Sequence, residues 1–394
     1  MRKLTRRGVV LLAAVVVTGA AFAGTVLANP GGVFGGSDNP WPYNASGKSV
    51  PAANPVLAAV GDIACEPDNA ENSGNPAAVK CGGAGIGSAT AEYKTAQQAY
   101  AMKPNLVAIL GDEQYQVGKL SDFEQSYEQT WGGLRMLERP SPGNHEYYAY
   151  TKKGDHEAAQ NGNGYFAYFN GHDQVGTPNA EGQAGDDTGT NQGWYSYDLG
   201  NWHIISLNIE CASAAFGNDC STTDGGLLTT ETDWLSQDLK QNHAPCTLAY
   251  WHQPTFSSTA SPFTSDSTEG AAADAWWKLL YQHHATLILN GHDHVYSRFA
   301  PMDPAGNADP GGIREFIVGT GGESLDTVLT GAQQAPNLQA WADQYYGVMK
   351  LTLKPDSYDW DYESALLNPD APAGTAPSYQ DAGSASCNGD DNSQ

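Results

Sequence analysis

Five segments of this chain end in residues that commonly bind metal ions, and this recurrence constrains the fold more than any other feature. The candidate ligands are, in chain order, Asp62; Asp112 and Tyr115; Asn144 and His145; His252; and His292 and His294. Glycine precedes the candidate ligand at positions 61, 111, 143 and 291, and glycine permits the sharp turns and close approaches that such loops need. A single Gly-Asp pair or a lone histidine is common in proteins, so only the whole set is informative. Together the segments supply enough oxygen and nitrogen donors for two adjacent metal ions.

Apolar β-type runs alternate with helical patterns between residues 51 and 366, which indicates sheets flanked by helices in the α/β or α+β range. Strands are predicted at 56–60, 106–110, 194–197, 203–207, 248–251, 286–289, 315–318 and 347–353, the last two antiparallel. Helices are predicted at 90–102, 122–137, 232–240 and 271–281. Asp62, Asp112, His252 and His292 each follow a predicted strand, where loops of layered α/β folds converge on ligands.

The chain divides into a leader, a linker, one large domain and a tail. Residues 1–28 resemble a signal peptide, with a basic start and a short apolar stretch. The segment around Arg6 and Arg7 also resembles a twin-arginine signal, and an ordinary secretion signal is the alternative. Residues 29–50 are predicted to be a flexible linker, 51–366 the catalytic domain, and 367–394 a low-complexity acidic tail. We therefore expect an exported protein, extracellular or periplasmic, with no stable membrane anchor.

The chain is strongly acidic. Its formal net charge is −25, and loss of residues 1–28, which hold four basic and no acidic residues, would make it −29. Such a surface does not favour nucleic acid or anionic membranes. It also repels phosphate esters, so a phosphate site would need strong local positive charge, which bound metal ions would provide.

Six cysteines in an exported chain predict three disulfides. Proximity suggests the pairs Cys65–Cys81 and Cys211–Cys220, which leaves Cys246–Cys387, although six cysteines allow fifteen pairings. No Cys-x-x-Cys segment is present, so a thiolate metal site is disfavoured.

Taken singly, most candidate ligands have an ordinary structural explanation. Asp62 could cap a helix or turn, Tyr115 could be a core residue, and a lone histidine after a strand, such as His252, is more often structural than a ligand. The strongest local signal is His292-Asp293-His294, because alternate residues of an extended segment share one face. A similar Gly-His-Asp at 171–173 lacks the second histidine and is assigned to a loop. The histidines at 156, 172, 203, 243, 283 and 284 have no supporting context.

The ordered set resembles the calcineurin-like metallophosphoesterase superfamily, and within it the purple acid phosphatases and their secreted bacterial relatives. That resemblance implies a four-layer sandwich with two mixed β-sheets flanked by helices. Most of the superfamily has Asp-x-His in the first motif, whereas this chain has Asp62-Ile63-Ala64. Purple acid phosphatases also lack that histidine and use a tyrosine in the second motif, where Tyr115 stands here.

The resemblance also implies the ligands of two ions. The first would bind Asp62, Tyr115, His294 and the bridging Asp112, and the second would bind Asp112, Asn144, His252 and His292. A phenolate ligand implies Fe(III) at the first site, and the second suits Zn(II), Fe(II) or Mn(II).

The implied reaction is attack of a metal-bound hydroxide on a phosphomonoester, releasing inorganic phosphate. His145 would stabilise the transition state or help to protonate the leaving alcohol. The family often has further histidines after the fourth motif, whereas Gln253 follows His252 here.

Two alternatives remain open at this level. One is a phosphodiesterase acting on nucleotides or phospholipid head groups, and the other is a non-catalytic binding protein on the same scaffold. The oligomeric state is not predicted by the sequence.

Overall fold

The structure, a computed structural model, describes residues 53–67, 90–152, 155–170, 184, 192–260 and 268–389. The signal peptide and linker predictions lie outside these residues. None of the helices in the described ranges is long and apolar enough to cross a membrane.

Two mixed β-sheets, a separate antiparallel pair of short strands and flanking helices make up the described chain. The strands are β1 (Val56–Val60), β2 (Leu106–Leu110), β3 (Glu138–Ser141), β4 (Tyr150–Lys152), β5 (Asp155–Glu157), β6 (Tyr195–Leu199), β7 (Trp202–Ser206), β8 (Cys246–Tyr250), β9 (Leu287–Asn290), β10 (Tyr296–Phe299), β11 (Arg314–Val318), β12 (Leu338–Ala342), β13 (Tyr345–Leu353), β14 (Ser357–Leu367) and β15 (Gln380–Ser386). The α-helices are α1 (Ala91–Met102), α2 (Leu120–Asp122), α3 (Glu128–Thr130), α4 (Asn144–Tyr147), α5 (Asn163–Asn170), α6 (Leu227–Gln241) and α7 (Thr268–Gln282). A π-helical turn covers Phe123–Tyr127, and 3-10 turns cover Gly132–Leu137, Ala214–Phe216 and Gly331–Gln333.

The parallel strands lie at one side of the first sheet and in the middle of the second. The first sheet has the order β15-β14-β13-β1-β2-β3, and the second has the order β12-β10-β11-β9-β8-β7-β6. β1, β2 and β3 run parallel, as do β7, β8, β9 and β11. This arrangement confirms the predicted sandwich of two mixed sheets with helices.

The core follows the alternation of side chains along the strands. In β1, Leu57 and Ala59 join an apolar cluster with residues of the second sheet such as Leu248, whereas Ala58 and Val60 join the cluster that includes the helices. Successive side chains of a strand point to opposite faces, so one face of each sheet packs against the other sheet and the other face packs against helices. Strands buried on both faces explain the continuous apolar runs of the sequence.

Three predictions need correction. The predicted tail begins inside the sheet, because Gln380–Ser386 pairs antiparallel with β14 as an edge strand, and Asp381 accepts hydrogen bonds from Arg298. β11 is antiparallel to β10 but parallel to β9, since a crossover separates β9 from β11. The helix predicted at 122–137 is a series of short helical turns, with two glycines at 132 and 133 in its second half.

Two of the predicted disulfides are formed in the structure. Cys211 pairs with Cys220, with a Cα–Cα distance of 4.9 Å, and Cys246 pairs with Cys387 at 5.3 Å. The second joins the end of the chain to the start of β8. Cys65 is also disulfide-bonded, and its predicted partner Cys81 lies outside the described residues.

Candidate metal centre

The predicted ligands lie in loops that follow five parallel strands. Because the carboxyl ends of parallel strands meet at one edge of a sheet, the loops after β1, β2 and β3 converge with those after β8 and β9. Asp62, Asp112 and His292 have positive φ angles of 61°, 49° and 68°. These sparsely populated conformations are typical of functional loops.

The first group of side chains surrounds the Tyr115 hydroxyl. That oxygen lies 3.0 Å from Asp62 Oδ1, 3.1 Å from Asp112 Oδ2 and 3.1 Å from His294 Nε2. His294 Nε2 is in turn 3.2 Å from Asp62 Oδ1. Four donor atoms from the three loops after β1, β2 and β9 therefore face one another.

The second group surrounds the Asn144 amide oxygen. Asn144 Oδ1 lies 3.2 Å from His252 Nε2 and 3.1 Å from His292 Nδ1. His252 Nε2 is also 3.2 Å from Asp112 Oδ2. The two groups consequently share a single atom, Asp112 Oδ2.

The spacing of these donors fits metal coordination. Neighbouring donor atoms within each group are 3.0–3.3 Å apart. An ion that binds its ligands at about 2.1 Å in octahedral or tetrahedral geometry holds neighbouring donors about 3.0–3.4 Å apart. Ligand atoms of Asp62, Asp112 and His252 all lie within 4.8 Å of one another. The residues present therefore fit a pair of ions that share the Asp112 carboxylate.

Backbone carbonyls orient two of the imidazole rings. His252 Nδ1 donates to Leu110 O at 2.8 Å, and His294 Nδ1 donates to Ser324 O at 2.6 Å. A carbonyl oxygen can only accept, so in the neutral rings Nε2 carries the lone pair that faces the other donors. Such second partners fix the tautomer and ring orientation of metal-binding histidines.

Three glycines leave space that the ligands occupy. A Cβ at Gly111 would lie 2.3 Å from His252 Nδ1, and a Cβ at Gly143 would lie 2.3 Å from Asp112 Oδ1. At Gly291, a Cβ would lie 2.6 Å from Asp62 Oδ2. The sequence expectation of close approach at these glycines is borne out by these distances.

The fully buried Glu146 ties the ligand loops together. Its Oε2 accepts backbone N–H groups of Gly143 at 2.9 Å and Asp112 at 3.2 Å, and its Oε1 accepts that of Gln114 at 3.2 Å. Burial and the nearby Asp112 carboxylate raise the pKa of Glu146 to about 8, against these backbone donors. Glu146 directly follows the candidate residues Asn144 and His145 in the sequence, but its role emerges only from these contacts.

Opposite charges balance one another inside the site. Burial disfavours the charged form of His252, but the Asp112 carboxylate outweighs burial and raises the pKa of His252 to about 10. In the same way, Asp62 outweighs burial and raises the pKa of His294 to about 10. Without metal ions, both rings are therefore doubly protonated at neutral pH, and their positive charges neutralise the carboxylates. Cations would take over that role and release the protons.

The same two carboxylates disfavour the charged form of Tyr115. Burial, Asp112 and Asp62 raise the pKa of its phenol well above the ordinary value. The phenol therefore stays protonated beside two carboxylates unless a cation binds there, because a bound cation inverts the local electrostatics.

His145 lies at the edge of the two groups and is 23 % exposed. Its Nδ1 donates to Gln116 O at 2.6 Å, its backbone N–H donates to Asp112 Oδ1 at 2.9 Å, and its Nε2 is 3.9 Å from Asp112 Oδ2. The ring is thus held beside the shared carboxylate without belonging to either group, a position suited to contact with a substrate.

The sequence model of the calcineurin-like phosphoesterases matches residues 56–296, a span that contains all eight candidate site residues. The chain belongs to this family.

Relatives with partial similarity carry phosphatase names. Acid phosphatase A of Cryphonectria parasitica is 27% identical over 168 residues, which cover 39% of this chain and 32% of that protein. Purple acid phosphatase 15 of Arabidopsis thaliana is 27% identical over 133 residues, covering 33% and 22%. The matches thus span a third or less of the length of these relatives.

Solved structures of related proteins share the fold. The purple acid phosphatase PPD1 from yellow lupin (Lupinus luteus) seeds matches with a TM-score of 0.55 and 16% identity over 85% of this chain and 54% of that one. PhoD matches with a TM-score of 0.51 and 14% identity, covering 84% and 70%. At these identities the likeness concerns the fold alone.

Two residues outside the predicted set help to hold this phosphoesterase site. Besides Glu146, the buried Asp293 accepts the Ser257 hydroxyl at 2.6 Å and fixes the turn between the last two histidines. Glu146 stands three residues after Gly143 and accepts its backbone N–H, as the glutamate of a capping box does at a helix start.

His203, which has no supporting sequence context, has a structural partner on each side. Its ring lies 2.9 Å from Asp198 and 2.7 Å from Asp238, away from the ligand groups. The look-alike motif at 171–173 lies outside the described residues.

Proposed function

We propose that this protein is an exported, metal-dependent phosphatase that hydrolyses phosphomonoesters and releases inorganic phosphate. The observation that carries the proposal is the convergence of seven donor side chains into two groups that share Asp112 Oδ2. Membership of the calcineurin-like phosphoesterases, and the names of the partial relatives, support the reaction class.

Two ions in these groups would polarise the phosphoryl oxygens and lower the pKa of a bound water. In the overall reaction a bond forms between a water oxygen and phosphorus, the ester P–O bond breaks, and the leaving oxygen takes up a proton. His145 is the residue placed to stabilise the phosphoryl group and to deliver that proton from Nε2, because Gln116 O already holds its Nδ1. Asp112 would position His145 by accepting its backbone N–H.

For the metals we propose Fe(III) beside Tyr115 and Zn(II), Fe(II) or Mn(II) beside Asn144. A phenol whose pKa is raised by two carboxylates ionises most readily when bound to a hard, highly charged cation. Amide, imidazole and carboxylate donors suit a divalent ion in the second group.

Export is supported by the signal-like residues 1–28 and by the disulfides of the described chain, which persist in oxidising compartments. Amino-terminal sequencing of the protein recovered outside the cytoplasm would test it, and the expected mature chain lacks residues 1–28.

The central experiment combines metal analysis, a visible spectrum and two substrates. We expect two metal ions per chain, a visible absorption band that Tyr115→Phe removes, and faster hydrolysis of p-nitrophenyl phosphate than of bis-p-nitrophenyl phosphate. Tyr93→Phe, a conservative change on helix α1, is the matched control and should keep the band.

Three results would contradict parts of the proposal. A faster diester reaction would indicate a phosphodiesterase. Metal-loaded protein that hydrolyses neither ester would indicate a binding protein on this scaffold. A band that survives Tyr115→Phe would exclude Tyr115 as a ligand of a ferric ion.

A further inference from the structure

A sixth loop reaches the edge of the sheets where the candidate ligands meet. Strand β11 ends at Val318 and is followed by glycines at 319, 321 and 322. Because β11 runs parallel to β9, residues 319–326, called the β11 loop from here on, leave the sheet at the same edge as His292 and His294. This loop contributes none of the seven candidate metal ligands and lies beyond residues 56–296, the span that the family model matches.

The glycines of the β11 loop allow it to lie directly against the first and last ligand loops. A Cβ at Gly319 would lie 2.2 Å from Asp293 O and 2.7 Å from Asp62 Oδ2. At Gly321, a Cβ would lie 2.5 Å from Gly61 O. These distances are well below ordinary non-bonded contacts of about 3.5 Å, so a side chain at either position would push the loops apart.

Backbone and side-chain hydrogen bonds anchor the β11 loop on two sides. Towards β13, the Thr320 hydroxyl donates to Gly347 O at 2.8 Å, and the backbone N–H of Gly347 donates to Thr320 O at 3.1 Å. Towards the ligands, the backbone N–H of Glu323 donates to Asp62 O at 3.1 Å. The loop therefore connects the body of the first sheet to a candidate ligand.

The end of the β11 loop holds His294 at three points. Ser324 O accepts the ring Nδ1 at 2.6 Å. The carboxylate of Asp326 accepts the backbone N–H of His294 at 3.1 Å through Oδ2, and the backbone N–H of Asp326 donates to His294 O at 3.1 Å. Glu323 Oε1 in turn fixes Ser324 by accepting its backbone N–H at 2.8 Å and its hydroxyl at 2.9 Å.

Among these contacts, that of the Asp326 carboxylate depends most directly on a side chain. The Ser324 contact is made by a backbone carbonyl, which a substitution does not remove. A hydrogen bond from a backbone N–H to a carboxylate is stronger than one between neutral groups, and Asp326 is half-buried. Its carboxylate fixes the backbone of His294, from which the ring extends towards the other donors.

We propose that Asp326 is a positioning residue of the first metal group: it holds His294 so that Nε2 stays beside Asp62 Oδ1 and the Tyr115 hydroxyl. The inference rests on the proposed two-ion function and deepens it, because it adds the β11 loop to the machinery of the site. Asp326 acts through His294, whose contacts of 3.2 Å with Asp62 and 3.1 Å with Tyr115 define the place of the ion.

The test is a calorimetric Zn(II) titration of the whole protein after a chelator has removed its metal. The wild type should bind two zinc ions, since carboxylate and imidazole donors suit this ion. Asp326→Ala should weaken the binding of one ion about 10- to 100-fold and leave the other within about threefold. Asp326→Asn keeps an oxygen that can accept the His294 N–H, so it should restore the affinity to within about threefold of the wild type.

A visible spectrum supplies a second readout. In iron-loaded protein, the band that Tyr115→Phe removes should lose intensity in Asp326→Ala, because a displaced His294 leaves the ion next to Tyr115 less tightly held. Asp326→Asn should restore the band. A purely structural role for Asp326 would change the free energy of unfolding without changing the band or the zinc affinity.

Asp219→Ala is the matched control. Asp219 is also half-buried, and its Oδ1 accepts one backbone N–H, that of Ser221, at 2.9 Å. Both alanine variants therefore lose a hydrogen bond of the same kind, and both should unfold at lower denaturant concentration. Only Asp326→Ala should change the zinc affinity.

Several outcomes would overturn the inference. These are an unchanged zinc affinity in Asp326→Ala, an equal weakening of both ions, or a wild type that binds no zinc. Equal losses in Asp326→Ala and Asp326→Asn would assign the effect to the negative charge and not to the hydrogen bond. A zinc-binding protein that hydrolyses no phosphate ester would refute the proposed function, and the zinc titrations would still test the role of Asp326.

Discussion

Gly143→Ala tests whether the shared carboxylate depends on the absence of a side chain at position 143. The backbone of Gly143 has φ −113° and ψ −174°, an extended conformation that alanine adopts without strain. Any effect of the added methyl group must therefore come from contacts.

Those contacts are severe. The new Cβ would lie 2.3 Å from Asp112 Oδ1, 2.5 Å from the Asp112 backbone nitrogen and 2.9 Å from His252 Cδ2. Ordinary non-bonded contacts are about 3.5 Å, so the Asp112 carboxylate would have to move by about 1 Å. Because Asp112 Oδ1 also accepts the His145 backbone N–H, His145 would shift with it.

We expect a loss of about 1–3 kcal/mol in the free energy of unfolding, which is typical of an overpacked site. Displacement of catalytic groups by about 1 Å can cost about 100-fold in rate, and we expect kcat/KM for p-nitrophenyl phosphate to fall by that order. Metal content should fall below two ions per chain. The measurements are denaturant unfolding, elemental analysis and steady-state kinetics on the same preparation.

Gly311→Ala is the matched control. Gly311 is exposed, its nearest neighbour to an added Cβ is Asp309 Oδ1 at 3.7 Å, and its φ is outside the left-handed region. This variant should stay within about 0.5 kcal/mol of the wild type in stability and keep full activity. If Gly143→Ala bound two ions and kept kcat/KM within about threefold of the wild type, the close approach of Gly143 to Asp112 would not matter for the site, and the reasoning would be refuted.

Three further predictions concern residues that support the fold and the site. Glu146→Gln places a side-chain N–H group against at least one of the backbone N–H groups that Glu146 accepts, so it should lower the free energy of unfolding by about 1–3 kcal/mol. Metal titration should show an affinity about 10- to 100-fold weaker. An unchanged metal affinity would exclude a positioning role for Glu146. Burial disfavours the charged form of His203, but Asp238 and Asp198 outweigh burial and raise the pKa of His203 above its value in the unfolded chain. The two aspartates therefore stabilise the fold fully at pH values below the unfolded pKa, and this stabilisation is lost as the pH rises through the folded pKa. Asp238→Asn should accordingly cost about 1.5–3 kcal/mol near pH 6 and less in alkaline solution, and a pH-independent loss in denaturant unfolding would contradict this. The Cys246–Cys387 disulfide links residues 141 positions apart in the chain, and the Cys211–Cys220 disulfide links residues 9 positions apart. Replacing the first pair by alanine should lower the free energy of unfolding by about 5 kcal/mol, and replacing the second should lower it by about 3 kcal/mol. Equal losses in the two variants would argue against the chain-entropy explanation.

The convergence of the candidate ligands could be predicted from the sequence because their signals are local. Asp62, Asp112 and His252 each end an apolar run, and glycines stand where the structure shows a Cβ would collide with a ligand. A parallel strand buried on both faces gives a continuous apolar run, so the position of each loop could be found without knowing the order of the strands. The convergence of the loops then followed from the rule that such strand ends meet.

Two of the edge strands, β15 and β3, were not predictable in this way. In β15, the residues Gln380–Ser386 are mostly small or polar, and the strand alternates between exposed and half-buried positions without a buried face. It pairs with the preceding strand β14 across a connection of Pro-, Gly- and Ala-rich residues, and the Cys246–Cys387 disulfide holds its end against β8. In β14 the pattern is visible, since the aromatic residues 358, 360 and 362 alternate and are buried. β3 contains Pro140, which cannot donate to the sheet and therefore weakens any strand prediction.

The supporting contacts of the site required the tertiary structure for a related reason. Glu146 and Glu210 are acidic residues, which sequence reasoning places on the surface by default, yet both are fully buried. Apart from Gly143, the partners of Glu146 lie 32 and 34 residues away in the chain, and Glu210 accepts the side-chain amide of Gln253, 43 residues away. No local pattern records such a pairing.

The acidity of the chain bears on how the protein could select among anionic substrates. With a formal charge of −25, the chain repels every phosphate ester at long range, so only the ions and the site itself can attract one. Attraction to the phosphoryl group is common to all monoesters and gives no discrimination between them. If the proposed function is correct, selection among phosphate esters must therefore come from contacts with the alcohol.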